Sequence, residues 1–219
     1  MVEISASILN LEEDNVIKKL YDLEAAKIDY FHIDVMDGIF VENNTVQKMK
    51  KYCEYLNNIS NLPIDVHLMV TNVKEYIDSY SIFNPNIITF HYEACKDDTE
   101  VDKYIEQIKG RECKVGLAIK PNTEIDKILK FLPKINLLLI MSVEPGKGGQ
   151  KFIESAIQKI KYAKAKIDEL GLETEIEVDG GINLENSKEV KEAGATIAVS
   201  GTAIINSKDY SYTIKKLKE

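Results

Sequence analysis

Histidine and acidic residues recur at every second position in three short apolar segments of the chain. The segments read YFHIDVM (30–36), IDVHLMV (64–70) and EIEVDG (175–180). Side chains two residues apart on a strand share a face, so each segment would have an aliphatic face and an ionisable face. The ionisable faces carry His32, Asp34, His67 and Asp179. Imidazoles and carboxylates together are typical ligands of divalent zinc, manganese, iron or cobalt.

Eight strand-like runs, alternating with longer helical ones, would position these residues. The runs are EISASIL (3–9), YFHIDVM (30–36), IDVHLMV (64–70), IITFHY (87–92), KVGLAIK (114–120), LLLIMSV (137–143), EIEVDG (175–180) and IAVSGT (197–202). Amphipathic stretches such as 12–27 and 155–170 lie between them, the second one stopping at Gly171. The alternation predicts parallel strands joined by helices.

Eight such units favour a closed (β/α)8 TIM barrel, which we expect to form one domain over residues 1–219. The alternative is an open doubly wound sheet, whose dinucleotide signature would be GxGxxG directly after the first strand. The segment SASILNLEED at that place contains no glycine. The barrel is therefore the predicted fold.

In such a barrel the aliphatic faces must meet the covering helices, so the ionisable faces point towards the axis. The ionisable side chains lie near the carboxyl ends of strands two, three and seven, where barrel enzymes hold their active sites. They are His32, Asp34, His67 and Asp179. We expect these four side chains to converge on one metal ion. The alternative is that each histidine is a hydrogen-bonded core residue and each aspartate caps a turn.

Glycine-rich segments follow strands six, seven and eight. They are EPGKGGQ (144–150), DGGIN (179–183) and SGTAI (200–204). Glycine lets backbone N–H groups approach an anion, and barrels of this kind often bind phosphate after strands seven and eight. We expect a phosphate site there, where Lys147 would add a positive charge or else lie free in solvent.

The composition excludes several classes of function. The formal charge is −8 with lysine and glutamate interspersed, whereas nucleic-acid binding usually needs a basic patch. The sequence has no apolar stretch of about 18 residues for a membrane span and no secretory signal at its start. The 3 scattered cysteines predict reduced thiols and a cytoplasmic location.

The chain resembles the ribulose-phosphate 3-epimerase family over essentially its full length. The matching segments, in the family's order, are ASIL, HIDVMDGIFVENNT, DVHLMV, HYEA, MSVEPGKGGQKF, VDGGIN and VSGTAI. The resemblance implies a TIM barrel of the ribulose-phosphate-binding type and one divalent metal ion, with zinc as first choice and manganese, iron or cobalt as alternatives. It implies interconversion of ribulose 5-phosphate and xylulose 5-phosphate at C3, in the pentose phosphate pathway.

By position, the resemblance makes His32, Asp34, His67 and Asp179 the metal ligands, with Asp34 and Asp179 as the acid/base pair. The residues that would contact substrate are Ser7, Met36, His67, Met69 and Met141. The phosphate loops would comprise Gly146, Lys147, Gly148, Gly149, Gly180, Gly181, Gly201 and Thr202. The family usually has proline at position 42, an aromatic residue at 147 and serine at 202, where this chain has Glu42, Lys147 and Thr202.

Inverting a carbon beside a ketone requires two acid/base groups on opposite faces, and two aspartates would supply them. A metal between them would stabilise the enediolate, and the methionines would limit access of water or simply pack the core. We expect His91, the third histidine, either to be structural or to support the site from outside it. We expect Asp37 to be a loop residue.

Three other functions stay open. They are epimerisation of a related ketose phosphate such as allulose 6-phosphate, metal-free decarboxylation or isomerisation in a phosphate-binding barrel, and sugar-phosphate binding without catalysis. The expected partner is a small ketose phosphate, without nucleic acid or membrane, and a homo-oligomer is compatible with the sequence.

Overall fold

Eight parallel strands close into a barrel in a computed structural model that describes residues 2–219. The strands are β1 (Glu3–Ser7), β2 (Tyr30–Met36), β3 (Ile64–Met69), β4 (Ile87–His91), β5 (Lys114–Ile119), β6 (Leu137–Met141), β7 (Glu175–Asp179) and β8 (Ile197–Ser200). Each strand pairs with the next along the chain, and β8 pairs with β1. The predicted barrel is confirmed, and the open sheet is wrong.

Most strands end one or two residues before the predicted end, because the chain turns there into the loops that surround the barrel mouth. The helices are α1 (Val16–Ala25), α2 (Val46–Ile59), α3 (Val73–Ser81), α4 (Asp98–Lys109), α5 (Ser155–Glu169), α6 (Ser187–Glu192), α7 (Thr202–Ile205) and α8 (Tyr210–Lys218). Within residues 2–219 every helix is too short or too polar to cross a lipid bilayer.

The connection from β5 to β6 departs from strict alternation. Two 3-10 helices, Ile125–Lys127 and Leu129–Lys134, take the place of an α-helix. Pro133 lies inside the second one, and proline lacks the N–H that a continuing α-helix would need. The connection still covers the barrel, since Phe131 and Leu132 are buried in the core.

Apolar side chains form two layers on either side of the barrel wall. The outer layer packs the strands against the helices and includes Phe31, Ile33 and Val35 of β2. The inner layer fills the axis with residues such as Leu137 and Leu139 of β6. The aliphatic face of β2 therefore points outwards, as the alternation predicts.

A close approach between β4 and β5 shapes the barrel interior. Thr89 is fully buried and pairs in register with Gly116. A Cβ atom on Gly116 would lie 2.0 Å from Thr89 Oγ1, so only glycine leaves room for the threonine side chain.

Candidate active site

The polar faces of β2, β3 and β7 meet inside the barrel near the carboxyl ends of the strands. Asp34 of β2 stands beside His67 of β3 in the pairing register. His32 and His67 are fully buried, and Asp34 is 5% exposed. Asp179 ends β7, and its side chain is 16% exposed. The structure brings together all four residues that the sequence singled out.

The four side chains form one compact cluster, in which one ligand atom from each lies within 4.8 Å of the others. Asp34 Oδ1 is 3.5 Å from His32 Nε2 and 3.5 Å from His67 Nδ1. Asp179 Oδ2 is 3.5 Å from His67 Nδ1 and 3.9 Å from His32 Nε2. Each histidine thus directs one nitrogen towards both carboxylates.

The cluster fits a divalent cation. His32 Nε2 and His67 Nδ1 are buried and have no hydrogen-bond partner within residues 2–219, which is costly unless a ligand satisfies them. Donor atoms that share one ion with bonds of about 2.0–2.2 Å lie within roughly 4.4 Å of one another, and all the separations above fall within that limit. His32, Asp34, His67 and Asp179 could therefore hold one metal ion, while their role as ligands stays a prediction.

The charges inside the cluster control its protonation in the absence of an ion. Burial alone would lower the pKa of His32, but the charges of Asp65 and Asp34 outweigh burial and raise it well above its usual range. Burial would raise the pKa of Asp34, whereas the adjacent His32 and His67 lower it. Metal binding must therefore displace protons from the imidazoles, so metal affinity should increase with pH.

A second polar layer lies directly beneath the cluster. Asp65 Oδ2 lies 2.6 Å from His32 Nδ1 and accepts a hydrogen bond from Ser5 Oγ at 2.8 Å. Glu177 is fully buried, and burial together with the charge of Asp65 raises its pKa well above the usual range. Asp65 and Glu177 also lie near His32 as a second group of potential ligands. However, Asp65 already binds the inward nitrogen of His32, so the upper cluster fits a cation better.

His91, whose position the sequence left undecided, ends β4 and lies against His67. Their Nε2 atoms are 2.9 Å apart, and the ring centroids are 5.0 Å apart with an interplanar angle of 29°. Burial lowers the pKa of His91 to about 4, so the ring is neutral at pH 7. Sequence reasoning missed this contact, and the only signal for it was the position of His91 at the carboxyl end of its strand.

Above the cluster opens a cavity of about 370 Å³. Its floor carries Asp34 and Asp179 together with Met36, Met69 and Met141, all three methionines being buried. All the residues predicted for the phosphate loops line its outer end. They are Gly146, Lys147, Gly148, Gly149, Gly180, Gly181, Gly201 and Thr202. His32 and His67 lie below the floor.

Polar side chains that the sequence analysis did not select also line this cavity. They are Asn10, Glu144, Gln150, Asn183 and Asn206. Asn10 Nδ2 lies 3.5 Å from Thr202 Oγ1, which brings the loop after β1 to the glycine-rich end. Its place just after the first strand was the only available signal. Ser7, which was predicted, donates a hydrogen bond from Oγ to Asp34 Oδ2 at 2.7 Å.

Two loops meet at the mouth of the cavity. Asn43 Nδ2, in the loop after β2, donates a hydrogen bond to the carbonyl of Gly146, in the loop after β6, at 2.6 Å. Gly146 has φ +119°, and a Cβ atom there would lie 2.9 Å from Val41 Cβ. Glu42 and Lys147 are exposed on either side of this contact.

Comparison with known proteins gives the context of this site. A family model described as "Ribulose-phosphate 3 epimerase family" matches residues 3–205. Ribulose-phosphate 3-epimerase of Bacillus subtilis is 36% identical over 219 residues, covering 100% of this chain and 99% of the relative. Ribulose-phosphate 3-epimerase of Escherichia coli K12 is 38% identical over 98% of this chain and 92% of the relative.

Solved structures with low sequence identity share the fold. A 3-hexulose-6-phosphate synthase superposes with a TM-score of 0.70 at 12% identity, covering 99% of this chain and 97% of that one. KGPDC from Streptococcus mutans gives a TM-score of 0.69 at 11% identity, over 100% of this chain and 96% of that one. These similarities support the barrel alone.

Proposed function

The chain belongs to the ribulose-phosphate 3-epimerase family, and from this premise we propose that it interconverts D-ribulose 5-phosphate and D-xylulose 5-phosphate. It is an isomerase of the epimerase class, and the reaction inverts C3 within pentose phosphate metabolism. One observation carries the proposal for this chain: two carboxylates line the floor of one cavity, and two buried histidine nitrogens that have no partner within residues 2–219 lie against these carboxylates.

In this proposal one divalent ion is held by His32, Asp34, His67 and Asp179. Zinc is the first choice, and manganese, iron or cobalt are the alternatives. The mixed nitrogen and oxygen donors suit ions of this group, and among residues 2–219 no thiolate belongs to the cluster. When bound, such an ion supplies Lewis acidity that polarises the ketone and stabilises negative charge beside it.

Asp34 and Asp179 carry the protons. They come from β2 and β7, which are separated in the barrel by β1 and β8, so they approach the cavity from different sides. One carboxylate removes the proton from C3, which becomes planar as negative charge passes into the enediolate. The other, protonated at the start, delivers its proton to the opposite face, and inversion results.

The remaining predicted residues orient the substrate and exclude water. Ser7 donates to Asp34 Oδ2 and so fixes the direction of that carboxylate. Met36, Met69 and Met141 provide an apolar floor that slows exchange of the abstracted proton with solvent. The phosphate binds at the glycine-rich end, where Thr202 and several glycines line the cavity and a backbone N–H can approach an anion closely.

The test compares Asp34→Asn and Asp179→Asn in D2O. Each variant should lose epimerisation almost completely, because one proton carrier is missing. Each should still exchange the C3 proton of one epimer with solvent, since the remaining carboxylate faces one side of the carbon. The two variants should differ in which epimer exchanges, as measured by NMR of C3.

Asp126 is exposed and belongs neither to the cluster nor to the residues that line the cavity, so Asp126→Asn serves as a matched control and should retain full turnover. Wild-type epimerisation in either aspartate variant would refute the two-carboxylate scheme. Full activity in protein shown metal-free by elemental analysis would refute the metal centre.

Substrate choice is tested by kcat/KM for ribulose 5-phosphate and allulose 6-phosphate side by side. We propose preference for the pentulose, supported by the names of the relatives.

The three unpaired cysteines support our proposal of a reducing, cytoplasmic environment. Light scattering on the purified chain would measure its molar mass in solution and so show whether it forms the homo-oligomer with which the sequence is compatible.

A further inference from the structure

His91 connects the candidate metal cluster to a carboxylate outside it. Its ring meets that of His67 edge to edge at an interplanar angle of 29°, and its Nε2 lies 2.9 Å from His67 Nε2. Its Nδ1 lies 3.2 Å from Glu93 Oε2. Glu93 Oε1 accepts hydrogen bonds from the backbone N–H of Lys120 at 2.8 Å and from the hydroxyl of Thr123. The contacts form a continuous chain from the loop after β5 to the cluster.

The direction of every hydrogen bond in this chain can be assigned from its two ends. A carboxylate that receives two donors on one oxygen accepts on the other as well, so His91 Nδ1 carries the hydrogen. At the other end, His67 Nδ1 needs a free lone pair to bind a cation, so its hydrogen lies on Nε2. His91 Nε2 must then accept that hydrogen bond. Both ends give the same assignment.

His32 has the opposite arrangement. It directs Nε2 to the cluster, and its Nδ1, which carries the hydrogen, donates to Asp65 Oδ2 at 2.6 Å. His67 directs Nδ1 to the cluster and donates from Nε2. The two histidines therefore need opposite tautomers, and each has its own buried partner to select one.

We propose that His91 and Glu93 are positioning residues that hold His67 in the Nε2–H tautomer with Nδ1 facing the cluster, while Asp65 holds His32 in the Nδ1–H tautomer. The inference rests on the metal centre of the proposed function. Neither His91 nor Glu93 is among the described residues that line the cavity, so in this proposal both act on the reaction through His67.

Nuclear magnetic resonance of the zinc-loaded protein tests the tautomers directly. The chain has 3 histidines, so long-range ¹H–¹⁵N spectra of labelled protein contain three imidazole patterns. We expect one zinc-bound ring protonated at Nδ1, one protonated at Nε2, and a third, unbound ring protonated at Nδ1. His91→Gln should remove the third pattern and so identify it. Two zinc-bound rings with the same tautomer would overturn the proposal.

Zinc affinity, measured by competition with a chromophoric chelator, tests the positioning role. His91→Phe keeps a ring but cannot accept from His67, and it should weaken zinc binding about 10- to 100-fold. His91→Gln places a carbonyl oxygen near the lost acceptor and should recover most of the affinity. Thr89→Val, on the inner face of the same strand, removes a hydroxyl that has no partner in the described part of the chain and should leave zinc affinity unchanged.

Thermal unfolding in chelator shows whether each variant folds; if His91→Phe does not, the glutamine variant and the spectra decide the question. Unchanged zinc affinity in folded His91→Phe would overturn the proposal while leaving the metal centre intact. Failure of the wild-type protein to bind zinc would instead refute the metal centre, and the inference with it.

Discussion

Asp37 provides a quantitative test of how the β2 end of the site is anchored. Its Oδ1 accepts from the backbone N–H groups of Ile39 and Phe40, each at 2.8 Å. Its Oδ2 accepts from the N–H of Thr71 at 2.7 Å and from the hydroxyl of the same residue at 2.8 Å. One buried carboxylate thus ties the loop after β2 to the start of the loop after β3.

Asp37→Asn should lower the free energy of unfolding by about 2–4 kcal/mol. The amide oxygen can keep the two donors from Ile39 and Phe40, but the NH2 group then faces the N–H of Thr71. A hydrogen bond to a charged group contributes about 1.5–3 kcal/mol, and loss of the charge also weakens the bonds that remain. For a chain of this length the melting temperature should fall by roughly 4–16 °C.

Urea unfolding is the assay, and Asp97→Asn is the matched control. Asp97 is exposed and accepts one hydrogen bond, from Glu100 N–H at 3.0 Å, so its variant should lose less than about 1 kcal/mol. A smaller loss in Asp37→Asn than in Asp97→Asn would refute the reasoning.

The pH dependence of the same difference gives an independent check. Burial would raise the pKa of Asp37, but the hydrogen bonds from Thr71, Phe40 and Ile39 lower it. A carboxyl whose pKa is lower in the folded state stabilises the fold above its unfolded pKa, about 3.9, and this contribution is lost as the pH falls. The stability difference between wild type and Asp37→Asn should therefore shrink from pH 5 to pH 3.

Three further outcomes are expected. Gly116→Ala should lower the free energy of unfolding in urea by about 1–3 kcal/mol, because the added methyl group overpacks the barrel interior. Adding Thr89→Gly should restore most of this loss. Additive losses in the double variant would contradict the 2.0 Å approach. Ser7→Ala should reduce kcat about tenfold with a smaller change in KM, because one charge-assisted bond to Asp34 is lost; unchanged kcat would argue against this role. Zinc at 1,000 times its Kd should raise the free energy of unfolding by about 4 kcal/mol, so chelation should lower the melting temperature by roughly 8–16 °C. Equal melting temperatures with zinc and with chelator would contradict the metal centre.

The sequence predicted the barrel and the inward faces of its strands because alternation is a local property. His32 and Asp34 share a face wherever β2 is extended, and the closed barrel then leaves only the axis for that face. The aliphatic residues Ile33 and Val35 needed no further information, since the covering helices require an apolar surface. Convergence with His67 followed from the adjacency of β2 and β3.

The supporting contacts could not be predicted, because they depend on exact register and side-chain direction between distant segments. Glu93 meets Thr123 across 30 residues, and His91 meets His67 only because β3 and β4 are staggered as they are. Asp37 carried a loop pattern in the sequence, but its second oxygen finds Thr71 across 34 residues. The α-helix expected between β5 and β6 is absent because local proline chemistry overrides the alternation.

The contact between Asn43, Val41 and Gly146 has an evolutionary consequence. Residue 43 lies 103 positions from its hydrogen-bond acceptor, yet neither loop can change shape at the cavity mouth without affecting the other. A side chain at position 146 would collide with Val41, and a new residue at 41 would need a new partner at 146. Glu42 and Lys147, the two charged departures from the family pattern, flank this contact. We therefore expect positions 41–43 and 146–147 to covary among relatives, as one inherited unit rather than two.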